Sequence, residues 1–212
     1  MKRTEIVLIG DVIKSRKRFN PEEWKYFHQL IKKINNEFHS SIKIPITIYS
    51  GDSFGGICNS VESAIDILLA IQEHHKYHKS RVVLIEDEIS FGLETKNFLN
   101  LEGPALWKSQ GLLDNLKKSA SFFLSDLQNE LKTLTVNTIL NLILSIRNDW
   151  SEIEWAVYKH QGLPITQKDL AEKLEVSQQY ISKILNASKI KLVREAENNL
   201  TQILHGIDTT IH

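Results

Sequence analysis

Residues 43–58, KIPITIYSGDSFGGIC, set two short β-branched and aromatic runs on either side of Gly51-Asp52. Two such runs around a two-residue loop containing Gly predict a β-hairpin, Lys43–Ser50 with Phe54–Cys58. A lone hairpin is at best marginally stable in water, so other segments must supply further strands and a cover for its apolar face. Glu5–Gly10 is a short β-branched run of the kind that forms a central buried strand. Asn20-Pro21-Glu22-Glu23 predicts a helix start, with Asn as cap, Pro in the first turn and acids near the positive end. Trp24, Phe27, Ile31, Ile34 and Phe38 then recur at helical spacing and give one buried face. Ser60 to His78 reads as a second helix with Ala64, Ile67, Leu68 and Ile71 on one stripe. Ile89–Leu93 is expected as the next strand, Gly103–Lys118 as a helix and Ala120–Leu124 as the last strand. Arg81–Glu88 reads either as a strand or as an insertion, with Glu86-Asp87-Glu88 a solvated turn. Strand-helix-strand-strand-helix-strand is the split βαβ pattern, an α/β (α+β ferredoxin-like) class with appended elements.

A helical stretch at about 125–147 follows, and beyond it every signal is helical. The expected division is therefore an α/β domain over residues 1–145 and an all-α domain over 146–212. Lys plus Arg equal Asp plus Glu at 26 each, so no global charge announces a polyanionic partner. The single Cys58 excludes an internal disulfide framework and suits a reducing compartment, where it reads as packing. The apolar run after MKRT is six residues long, too short for a signal-peptide core or a membrane span. Val136 to Ile146 is more apolar but holds Asn137 and Asn141, so it reads as a buried helix. The expectation is a cytoplasmic protein with no membrane partner. His74, His75 and His78 in QEHHKYHK include a one-turn pair, yet they sit at a basic helix end and read as dipole-complementing cations.

TQKDLAEKLEVSQQYISKILNAS, residues 166–188, carries a second pattern. Thr166 can cap a helix with Leu170, Ala171 and Leu174 on its apolar side. Glu175-Val176-Ser177 makes a turn, and Ser177 can cap a second helix carrying Tyr180, Ile181, Ile184 and Leu185. This is the layout of a helix-turn-helix, whose second helix offers its N-terminal end to a DNA major groove. It closely resembles the DNA-binding unit of many bacterial regulators. Candidate DNA contacts are Thr166, Gln167, Ser177, Gln178, Gln179, Tyr180, Ser182, Lys183 and Asn186, amides and hydroxyls suiting base edges and Lys183 suiting phosphate. Residues 151–212 hold seven Lys or Arg against eight Asp or Glu, however. With so little phosphate neutralisation per copy, useful affinity calls for a homodimer on two half-sites.

Asp11, in IGDVIKSRK, ends the first predicted strand, and Asp52 sits in the hairpin loop. If that strand neighbours the hairpin, the two carboxylates converge, and their repulsion falls when a divalent cation bridges them. Mg²⁺ (or Mn²⁺) held by one or two carboxylates takes its other ligands from water and phosphate oxygens, which suits a nucleotide. Lys14, Ser15 and Arg16 follow Asp11 as candidate phosphate holders, Gly51 and Gly55 allow close backbone approach, and Trp107 could border the pocket. Spacing alone also fits two strand-terminating acids with turn glycines.

IGDVIKSRK, YSGDSFGGI, ISFGLET and LEGPALWKSQ, in this order and ahead of the helix-turn-helix, resemble the SatD family of bacterial proteins. The resemblance covers most of the chain. It implies an N-terminal domain similar to the class III nucleotide cyclase and diguanylate cyclase (GGDEF) catalytic core. In those enzymes an Asp ending the first strand and a hairpin acid hold two metal ions, which here are Asp11 and Asp52, with the backbone carbonyl of Val12 as a further ligand. Ser53 stands where the diguanylate signature has a second acid, and Glu94 where relatives have a second Gly. Trp107 and Lys108 replace the small and amide residues that a cyclase sets near base and ribose, and these departures favour binding over turnover. The expected function is a DNA-binding regulator whose cyclase-like domain binds a metal–nucleotide ligand. The alternatives are a Mg²⁺-dependent nucleotidyl cyclase or transferase using Asp11 and Asp52, and a catalytically dead dimerisation scaffold for the helix-turn-helix.

Overall fold

The computed structural model describes residues 4–13, 19–74, 79–160 and 164–210. The chain forms two compact units, Met1–Asn141 and Leu142–His212. The first is a mixed α/β unit. β1 (Thr4–Val12) leads to α1 (Pro21–Glu37), the hairpin β2 (Ile42–Ser50) and β3 (Ser53–Cys58), α2 (Val61–Gln72), β4 (Ser80–Glu88), α3 (Pro104–Leu116) and β5 (Phe123–Asp126). The sheet order is β2-β3-β1-β4-β5, antiparallel throughout except for the parallel β4–β5 pair. The first four strands thus take the order of a split βαβ sheet, and β5 extends it through the α3 crossover.

The local signals act as expected at α1 and α2. Asn20 Oδ1 accepts from the Glu23 N–H with Pro21 at the first turn, and Ser60 caps α2 through the Ser63 N–H. Gly51 opens the two-residue β2–β3 loop at φ 59°, the left-handed start that a type II′ loop calls for. One face of the sheet meets α1, where Phe27 packs edge-on against Phe54. The other face carries Val7, Ile9, Ile57, Val83 and Ile85 under Leu113 and Leu116 of α3 and under Phe98.

The fourth strand is Ser80–Glu88, the strand reading of Arg81–Glu88, whereas Ile89–Leu93 is not a strand. Glu86-Asp87-Glu88 is no turn: its residues pair with Ile6, Glu5 and Thr4 of β1. Val82–Ile85 is a continuous apolar run buried on both faces, which suits a central strand. Residues 89–103 instead leave the sheet in two 3₁₀ turns, with Gly92 in the left-handed region, Phe91 74% exposed and a single Phe91–Glu102 bridge. α2 also stops at Gln72, short of the expected His78. Its C-terminal neighbour His74 meets the Tyr26 hydroxyl at 3.2 Å, while His75 and His78 lie outside the described residues.

The outer edge of β5 is closed by a helix. Val82 N–H takes the Phe122 carbonyl, so Phe123 and Ser125 turn their amides away from β4. α4 (Glu130–Asn148) lays Asn141 and Asn137 along them. Asn141 accepts from the Phe122 and Phe123 N–H groups and donates to the Phe123 carbonyl; Asn137 accepts from the Ser125 N–H and donates to its carbonyl. Two asparagines one turn apart therefore stand in for a sixth strand and protect an edge that would otherwise template pairing.

The second unit is helical: the end of α4, then α5 (Glu152–His160), α6 (Gln167–Lys173), α7 (Gln178–Ala187) and α8 (Ile190–Thr210). Its core is built on Trp150, Trp155, Tyr158, Ile181, Ile184, Ile190 and Val193. Buried Arg147 donates to Glu197 at 2.8 Å and lies over the Trp155 and Tyr158 rings, and the Tyr158 hydroxyl donates to the other Glu197 oxygen. Burial and the Glu197 carboxylate push the Tyr158 phenol well above its ordinary range. Among the described residues no helix is long and apolar enough to cross a membrane.

Candidate functional site

Strand register brings the two aspartates to one end of the sheet. Asp11 pairs with Ser53 of β3, and Asp52 is the residue before it in the hairpin loop. Directly across on the other side of β1 is Arg81 of β4. Because side chains alternate along a strand, Asp11 lies on the face of Val7 and Ile9, the side that α3 covers. Lys117, just beyond α3, reaches Asp11 Oδ2 at 3.5 Å and Asp114 at 3.2 Å, and the Arg81 guanidinium is 3.8 Å from Asp11 Oδ1.

Asp11 is 6% exposed, and its Oδ1 is buried with no hydrogen-bond partner. Burial raises the carboxyl's pKa above its ordinary value and Asp52 adds to the rise, against the opposing pull of Lys117 and Arg81. Tyr49 is pushed up to about 12, first by burial and then by the Asp11 charge. A buried anion with one oxygen unsatisfied, facing a second carboxylate and two cations, is a costly arrangement for a structural site. Two carboxylates with the Val12 carbonyl are hard oxygen donors of the type that Mg²⁺ and Mn²⁺ take. Among the described residues no three His, Cys, Asp or Glu side chains form a metal cluster.

The other sequence candidates fall in different places. Gly51 is in the loop beside Asp52, but the space above Gly55 is filled: a Cβ there would meet the Phe98 ring at 2.5 Å. Gly55 is thus fitted to the protein's own packing. Lys108 lies at the far end of the sheet, bound to Asp126 at 2.9 Å and Asp87 at 3.6 Å, and these acids raise its pKa. Asp87 pairs with Glu5, six residues from Asp11 along β1 or about 20 Å. Trp107 is 67% exposed on the first turns of α3 beside Lys108. Neither joins Asp11. Lys14, Ser15 and Arg16 lie outside the described residues. The cations that do reach Asp11, Arg81 and Lys117, were missed by sequence reasoning because Arg81–Glu88 was left open between a strand and an insertion and because Lys117 lies outside every motif. An Arg beginning the buried VVLI run was the one available signal.

In the helical unit Thr166 forms a capping box with Asp169, and Ser177 caps α7 through the Tyr180 N–H. Thr166 and Ser177 are therefore engaged in their own helix starts. Glu175, at φ 54°, turns the chain between α6 and α7, and the Val176 N–H closes back on the Ala171 carbonyl. α7 buries Ile181 and Ile184 and leaves Gln178, Gln179, Tyr180, Lys183 and Asn186 exposed, with Ser182 half-buried; Gln167 is exposed on α6.

Two solved structures of bacterial light-regulated adenylyl cyclases are similar to this chain. One shares 11% identity over 59% of this chain and 76% of its own, with a TM-score of 0.39. The other shares 14% over 59% of this chain and 43% of its own, with a TM-score of 0.42. A regulator of polyketide synthase expression from Bifidobacterium adolescentis shares 11% over 95% of this chain and 86% of its own, with a TM-score of 0.30. Such distant likenesses carry no functional argument. No curated protein matches. The SatD family profile matches residues 5–204, nearly the whole sequence, and the chain belongs to the SatD family.

Proposed function

We propose that this SatD-family protein is a cytoplasmic DNA-binding regulator whose α/β unit binds a metal–nucleotide complex as its signal. The observation that carries the reading is the buried, unsatisfied Oδ1 of Asp11 beside Asp52. A divalent cation between the two carboxylates offsets their repulsion and the desolvation that raises Asp11. When bound, such an ion bridges and neutralises phosphate oxygens. Lys117 and Arg81 then have a second anion to hold in place of Asp11. Ser53, in the position of the second acid in an active diguanylate signature, favours binding without turnover.

The exposed amides of α7 favour DNA contact by the helical unit, with α6 and α7 as a helix-turn-helix and α7 as the recognition helix. The near-neutral charge of residues 151–212 makes a homodimer on two half-sites the working form. A nucleotide that binds one dimer arrangement better than another would shift operator affinity by that difference.

Titration calorimetry with each nucleoside triphosphate and Mg²⁺ tests the ligand. Saturable binding lost in Asp11→Ala and Asp52→Ala, without pyrophosphate release, is the expected result. Aspartate-dependent pyrophosphate release would make the domain an enzyme, and no binding would leave only a scaffold. For DNA, Gln179→Ala with Lys183→Ala should weaken retention on the protein's own promoter region, and unchanged retention would refute α7 as the reading helix.

A further inference from the structure

The outer face of α4 lacks the charge that a surface helix normally carries. Its inner side buries Val136, Leu140 and Ile143, and one flank gives Asn137 and Asn141 to β5. On the remaining side Leu131, Leu134, Thr138, Leu142 and Ser145 fall within an arc of about 80°, at 3.6 residues per turn. All five are exposed, the three leucines at 60%, 58% and 62%. Between Glu130 and Arg147 the sequence has one charged residue, Lys132, and both it and Arg147 are buried. A helix that is apolar on every side is normally a covered one.

We propose that this face is where a second copy of the chain docks, the two α4 helices crossing antiparallel about Thr138. This deepens the homodimer reading above and rests on it for the identity of the partner. The spacing is what a two-fold pair requires. The five positions recur about every 3.5 residues and are symmetric about Thr138. An antiparallel partner therefore sets Leu134 against Leu142 of the partner subunit, and Leu131 against the partner's Ser145. Thr138 meets its own copy at the crossing point, where a short side chain lets the helices approach closely. A surface that pairs with itself must not set like charges together, and a stretch with no exposed charge meets that condition. Area sets the strength. The 19 residues of α4 make a strip about 28 Å long and 10–12 Å wide, on the order of 300 Å² per copy against about 800 Å² for a standard interface. The dimer is therefore weak in solution, with a dissociation constant above about 1 μM. Weak pairing suffices for a regulator, because copies held on neighbouring half-sites meet at roughly millimolar effective concentration.

The test is sedimentation equilibrium of the full chain without DNA, over about 1–300 μM, where the parent should pass reversibly from monomer to dimer. Leu134→Glu with Leu142→Glu sets carboxylates against each other and should weaken association at least about tenfold. Leu134→Glu with Leu142→Lys sets opposite charges together across an antiparallel pair, and should associate at least about tenfold more tightly than the first variant. Equal weakness of the two would place the helices parallel and overturn the crossing about Thr138. Thr138→Cys, a mild change at an exposed position, should give a disulfide-linked dimer on oxidation. Leu131→Cys should not, because antiparallel copies of residue 131 lie about 21 Å apart. The native Cys58 is buried and does not compete. A parent that stays monomeric at the highest concentration, or a dimer unmoved by both glutamate changes, would overturn the proposal. So would a large loss of melting temperature in these variants, by showing that the chain itself covers the face. The DNA reading is judged apart: a dimer that ignores promoter DNA keeps this interface and removes the regulator, and strict monomers that bind that DNA do the reverse.

Discussion

Asn141→Ala tests the construction of the sheet that carries the site. Asn141 makes four hydrogen bonds of 2.8–3.2 Å, three of them to the Phe122 and Phe123 backbone on the outer edge of β5. Phe123 is fully buried, so these amides gain little from water when the side chain goes. At about 0.5–1.5 kcal/mol net for each hydrogen bond, the three contacts contribute roughly 3 kcal/mol. Alanine's better helix propensity returns up to about 0.7 kcal/mol, leaving a net loss near 2–3 kcal/mol. Urea unfolding followed by far-UV circular dichroism should show the midpoint falling by about 1–1.5 M at a slope near 2 kcal/mol/M. Thr138→Ala, an exposed change on the same helix, should stay within about 0.5 kcal/mol of the parent. A fall of less than about 0.3 M in Asn141→Ala, at unchanged slope, would refute the view that the asparagines complete the sheet.

Two further outcomes follow from buried charge. Arg147→Met should cost about 3–5 kcal/mol, because Glu197 stays buried after its partner is removed. Arg147→Met combined with Glu197→Leu should recover most of that loss, measured by urea unfolding under the tryptophan fluorescence of Trp150 and Trp155. Asp11→Asn should raise the melting temperature at pH 7. The folded carboxyl has a pKa above 3.8, so its charged form is penalised once pH exceeds that value. The native state binds the extra proton, stability falls as pH rises through the raised pKa, and the variant's advantage should vanish below about pH 3.8. An advantage that grew on acidification would contradict the sign.

Sequence alone carried the parts of the fold that are written locally. Asn20-Pro21, Ser60, Thr166 and Ser177 announce helix starts because their side chains bond amides three residues on. Gly51-Asp52 announces the hairpin because its loop needs a left-handed residue. β4 was legible only as one of two readings of Arg81–Glu88, since its buried centre gives no alternation and its charged end mimics a turn; the pairing of Asp87 with Glu5 exists only across the sheet. Asn137 and Asn141 show the same limit: their spacing is visible in the sequence, but the strand edge they serve is not. For the site, Asp11 and Asp52 were legible as strand-end and hairpin acids. Arg81, Lys117 and Tyr49 reach them only through register and the α3 crossover, and Lys108 is drawn to the opposite end by Asp87 and Asp126.

The most direct measurement is a crystal of the protein grown with Mn²⁺ and a nucleoside triphosphate, read by anomalous scattering. The account predicts a manganese peak between Asp11 and Asp52, a little over 2 Å from a carboxylate oxygen of each, with Lys117 turned from Asp11 to a phosphate. A saturated crystal with no metal there, Lys117 still paired to Asp11, and the nucleotide absent or bound elsewhere would contradict it.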